Sequence, residues 1–93
     1  MATSKISKNL QDIIIRSVES DEIEFIANTA KSVDIPIPSV GGYKFVTALN
    51  PGPLGNFGGC WITINSETFC RVWTIPRDSN TNKIRVDVLY VKG

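Results

Sequence analysis

Ninety-three residues with 42% hydrophobic content suffice for one packed domain and leave no room for a second core. Ten Lys and Arg against nine Asp and Glu give a net charge of +1, without the basic face that a nucleic-acid binder of this size carries. The absence of histidine removes the commonest general base, the Ser-His-Asp triad and the Cys-His pair, and leaves Cys60 and Cys70 too few partners for a zinc site.

Along the chain, the first twenty residues carry Lys5, Lys8 and Asp12 where the apolar centre of a secretory signal would sit. The longest unbroken aliphatic run is Ile13-Ile14-Ile15, far short of the ~18 residues of a membrane span. Ile6, Leu10 and Ile13 recur at helical spacing with Ser4 as a cap, whereas the β-branched Ile13-Ile14-Ile15 and Val18 favour a strand. Residues 1–12 are therefore expected to be flexible or to form a short helix, and residues 13–93 to form the folded domain.

Glu22 to Ala27 reads as a strand, with Asn28-Thr29-Ala30-Lys31 as its turn. In Val33-Asp34-Ile35-Pro36-Ile37-Pro38 the apolar residues alternate with prolines, which cannot donate to a ladder, so this strand belongs at a sheet edge. Gly41-Gly42 introduces a strand over Tyr43 to Leu49. Asn50 to Gly59 is rich in Gly and Pro and reads as an irregular surface loop; without a following helix or a Lys-Ser/Thr closure it is no phosphate cradle. Cys60 to Ile64 alternates, Asn65-Ser66-Glu67 turns the chain, and Thr68 to Ile75 follows with apolar groups on both faces, as a strand covered on both sides would have. Placing the turn at Asn65-Ser66 or Ser66-Glu67 sets Cys60 opposite Arg71 or Trp73, which predicts that the thiols are unbridged. After the polar turn Asp78 to Asn82, Ile84, Val86, Val88 and Tyr90 share one face of the last strand. About seven short strands joined by frequent turns predict an all-β fold, a small antiparallel β-sandwich of jelly-roll type.

Chemistry is scarce. Glu22 with Glu24, and Asp34 with Asp87, are carboxylate pairs only by arithmetic, each on a solvent face, and no catalytic residue, metal or cofactor is expected. The aromatics offer more. Trp61 and Trp73 are bulky enough to fill the core of a small domain, which is one reading of them. On the other, Cys60, Ile62 and Ile64 form an apolar set, so Trp61, Thr63 and Asn65 face outward together, and an outward indole serves either as an interface anchor or as a platform for a sugar ring. Asn56 and Phe57 in the adjoining loop complete the expected ligand-binding surface.

Several short words resemble a known family. The closing strand Lys83 to Lys92, containing "VLYVK", the edge strand Ile35-Pro36-Ile37-Pro38, "GGY" at Gly41-Gly42-Tyr43 and the loop leading into Cys60-Trp61 look like the small β-sandwich modules at the C-termini of bacteriophage tail-fibre and minor structural proteins. The resemblance spans roughly Glu22 to Gly93. It implies a non-enzymatic head domain: a homotrimer on a virion tail, assembled in the host cytoplasm, joined to an upstream fibre protein and adhering to cell-surface polysaccharide. No nucleic acid or membrane insertion is implied. Its alternative is a structural trimerisation or capping module without a ligand.

Overall fold

A computed structural model describes residues 12–53, 55 and 57–93. The expectation for residues 1–12 falls almost wholly outside them; Asp12 lies in a turn at the start of the first strand. The described residues form strands and no helix: β1 (Ile13–Glu19), β2 (Ile23–Phe25), β3 (Lys31–Pro36), β4 (Tyr43–Gly52), β5 (Phe57–Asn65), β6 (Phe69–Pro76), β7 (Asn80–Asn82) and β8 (Arg85–Lys92). β1-β8-β4 and β3-β6-β5 are three-stranded sheets, and β2-β7 is a two-stranded ribbon. All pairings are antiparallel.

The topology is a nested hairpin. β1, β2 and β3 run outward while β6, β7 and β8 return beside them, so that β1 pairs with β8, β2 with β7 and β3 with β6. β4 then adds to the free side of β8, and β5 to the free side of β6. The inner faces of both sheets supply one core: Val33, Ile35, Cys70 and Val72 from one, Ala48, Val86, Val88 and Tyr90 from the other, with Phe25, Ile37, Phe57 and Ile84 between them. Each fully buried aliphatic or aromatic side chain contributes about 1.5–3 kcal/mol, so this alternation is what selects the pleat direction of every strand.

The expected all-β antiparallel fold is present, with β3 and its proline at a sheet edge and Ile84, Val86, Val88 and Tyr90 all buried. Three details differ. Within the expected polar turn, Asn80 to Asn82 forms the short β7, because its backbone has β2 to pair with. The expected irregular loop is much shorter: Asn50 to Gly52 extends β4 and Phe57 to Gly59 begins β5. The β5–β6 turn lies at Glu67–Thr68, closed by Ser66, whose N–H donates to the Phe69 carbonyl and whose Oγ accepts from the Phe69 N–H. Together with a one-residue slip between Ile62 and Ile64, this puts Cys60 opposite Thr74 and Cys70 opposite Asn65. Neither matches the expected partners, yet the thiols still do not face each other, and both are free.

Local chemistry explains the corners. Asn28, at φ 60°, takes the left-handed conformation that asparagine tolerates, and its N–H donates to the Pro76 carbonyl. Gly42, at φ 79°, turns the chain into β4, and its carbonyl accepts the Gly93 N–H. The Tyr90 hydroxyl donates to the Pro38 carbonyl at 2.6 Å, tying the segment after β3 to the opposite sheet, and burial pushes this phenol's pKa up.

Candidate functional site

The outer face of the β3-β6-β5 sheet is organised in rows. Trp61 lies opposite Trp73, which lies opposite Ser32; the next row is Ile64, Arg71 and Asp34. Phe69 and Ile75 extend β6's outer stripe to either side. The stripe exists because β6 alternates Cys70, Val72, Thr74 and Pro76 into the core, which forces Phe69, Arg71, Trp73 and Ile75 out. Trp61 is 43% exposed and Ile75 41%, while Trp73 and Phe69 are half-buried.

Polar groups frame this apolar strip. Arg71 grips Asp34 with two parallel bonds, Nε to Oδ1 at 2.7 Å and Nη2 to Oδ2 at 3.0 Å, and its guanidinium carbon stands 5.8 Å from the Phe69 ring centroid. The guanidinium hydrogen bond holds the Asp34 carboxyl below its ordinary value. Thr63 is exposed, and its hydroxyl donates to the Arg71 carbonyl at 3.4 Å.

The expected site residues are distributed unevenly. Trp61 and Thr63 do lie on one outward surface. Asn65 does not belong with them. The register slip pairs it with the buried Cys70, so its side chain turns to the inner side, where its amide accepts from the Ala48 N–H and donates to the Ala48 carbonyl, each at 2.9 Å. It also donates to Thr47 Oγ1 and so stitches β5 to the edge of β4. Phe57 likewise points inward: it is 2% exposed and packs edge-to-face on Phe25 at 5.1 Å between centroids, which makes it a core residue and no surface platform. Asn56 lies outside the described residues. Trp73 and the Arg71–Asp34 pair join the surface instead. Two tryptophans placed on consecutive hairpin strands were the signal for the first; the second pair depended on knowing the β3–β6 register.

The Asp34–Asp87 pairing does not form. Asp34 stands on β3, engaged by Arg71, whereas Asp87 stands on β8 in the other sheet and accepts from Asn50. Among the described residues no three His, Cys, Asp or Glu side chains gather as a metal site. Cys60 Sγ lies 3.4 Å from Thr74 Oγ1, and burial pushes the Cys70 thiol's pKa up, so Cys70 is held as a neutral core group. A depression of about 550 Å³ is lined by Pro38, Tyr43, Phe45, Glu67 and Tyr90 among others and contains neither tryptophan. Compared with protein-family models, curated proteins and solved structures, the chain matches none.

Proposed function

We propose that this chain is a non-enzymatic attachment module that holds bacterial surface carbohydrate against the outer face of the β3-β6-β5 sheet, as the head of a phage tail fibre or related particle does. The observation that carries the reading is Trp61: a large indole left 43% exposed, facing Trp73 across the ladder, with Thr63 beside it and the Arg71–Asp34 pair two residues along β6. A pyranose presents an apolar C–H face that stacks on an indole, and its hydroxyls bond to hydroxyl, carboxylate and guanidinium groups of this kind. None of the depressions described holds either tryptophan, and a sheet face suits an extended polysaccharide better than a small molecule that needs a concave pocket. Each contact is then weak, and several copies on one virion tail provide the avidity.

A second reading is favoured by Ile75. Its 41% exposure beside Trp73 resembles the apolar centre of a protein interface, and a structural capping module would bury this strip against a neighbouring protein. Titrating the chain with purified bacterial surface polysaccharide while following tryptophan emission tests the carbohydrate reading. The expected result is a saturable change in emission. Emission unchanged across polysaccharides from several bacterial surfaces would contradict it.

A further inference from the structure

The edges of the two larger sheets are not equally protected. At β3 the edge carries Lys31 and Pro36, which discourage addition of another strand. At β4 the Asn65 amide already occupies the backbone N–H and carbonyl of Ala48. Among the described residues β1 is guarded less: its one inward charge is Arg16, on the same side of the strand as Ile14 and Val18. Its sequence, IIIRSVE, holds neither proline nor lysine, and Ile13 and Ile15 on its outer face are 50% and 63% exposed. Lys92 N–H donates to the Asp12 carbonyl at one end of the β1–β8 ladder, and Ser20 N–H to the Ile84 carbonyl at the other. Since antiparallel bonding alternates along a strand, the even-numbered residues bond β8, and the N–H and C=O groups of Ile13, Ile15, Ser17 and Glu19 point away from it, along an edge that no other described strand pairs with.

We propose that this edge pairs with β1 of a second copy, antiparallel about a two-fold axis at Ile14, so that two β1-β8-β4 sheets become one continuous sheet. The register follows from side-chain matching. Pairing across a two-fold keeps outer-face residues opposite outer-face residues, so only centres on a residue are allowed, and each centre gives a different set of neighbours. Centred on Arg16, the strand sets Arg16 against itself. Centred on Ile15, it sets Ile14 against Arg16 and Asp12 against Val18. Centred on Ile14, it sets Ile13 opposite Ile15 of the second copy on the outer face, and Asp12 opposite Arg16 of the second copy on the other face, each pairing occurring twice. Ile13 and Ile15 are also the residues whose outward N–H and C=O groups exchange bonds in that register. Apolar and charged positions are thus self-complementary at once.

The resulting interface is isologous and closes as a dimer, in contrast to the trimer that the tail-fibre resemblance implies. It lies on the sheet opposite the tryptophans and does not depend on what they bind.

Light scattering on the whole chain over a range of concentrations tests the proposal, with two charge variants. Asp12→Arg alone sets Arg against Arg, and Arg16→Asp alone sets Asp against Asp, at both pairs of the interface. Mixing the two variants restores opposite charges at both. The wild-type chain is expected at twice its 10.2 kDa mass. Each variant alone is expected to be a folded monomer, with its dissociation constant raised about tenfold or more, and the mixture to regain the dimer. Ile15→Pro provides a check independent of charge, since it deletes an N–H that points to the open edge and leaves the β8 ladder intact; a folded monomer is expected. A wild-type monomer or trimer, a single variant that still dimerises at wild-type strength, a mixture of folded variants that stays monomeric, or a folded Ile15→Pro dimer would each overturn the proposal.

Discussion

The two three-stranded sheets share one core but present different outer faces. The β3-β6-β5 sheet shows aromatic rings framed by hydroxyls and the Arg71–Asp34 pair, and its β3 edge is blocked by proline. The β1-β8-β4 sheet shows exposed aliphatic side chains, Ile13 and Ile15, beside an edge that no other described strand pairs with. An aromatic surface with polar neighbours can exchange water for a hydroxylated ligand at little rotamer cost, whereas an aliphatic surface along an unpaired edge gains most from another strand. In a domain of this size, the proposed division between attachment and assembly therefore rests on what each sheet turns outward and not on the core.

That division can be broken most severely from inside. Phe57→Ala removes a core ring packed on Phe25 and is expected to destabilise the chain by about 3–5 kcal/mol, read as a fall in the denaturation midpoint. A near-neutral effect would return Phe57 to the surface and undo the assignment of inner and outer residues along β5. Asn65→Ala is expected to come next, at about 1–3 kcal/mol, because it strands the N–H of buried Ala48 and leaves its carbonyl only the Thr47 hydroxyl. A loss of polysaccharide binding at unchanged stability would instead make Asn65 part of the ligand surface.

These two residues also mark the limit of what could be read from the sequence. Alternation identified the core faces of β3 and β8 because the β3–β6 and β1–β8 ladders run without a register shift, and the prolines at Pro36 and Pro38 identified an edge by chemistry alone. Phe57 was obscured by its neighbours: Gly on both sides and Pro upstream imply a loop, yet tertiary pairing of β5 with β6 carries the strand back to Phe57. Asn65 was obscured by the slip between Ile62 and Ile64, which reverses which side of the sheet each later residue occupies. Trp61, upstream of that slip, kept the outward direction that simple alternation gives it.

Trp61→Ala is the most direct measurement of whether the aromatic face is built for attachment. Melting temperature, mass in solution and binding to bacterial surface polysaccharide would be followed side by side. A half-exposed side chain on an outer face contributes little to the core, so the melting temperature and mass are expected to stay close to wild type while polysaccharide binding is lost. A chain that melts many degrees lower or changes its assembly state, or one that binds as before, would contradict the attachment role of this face.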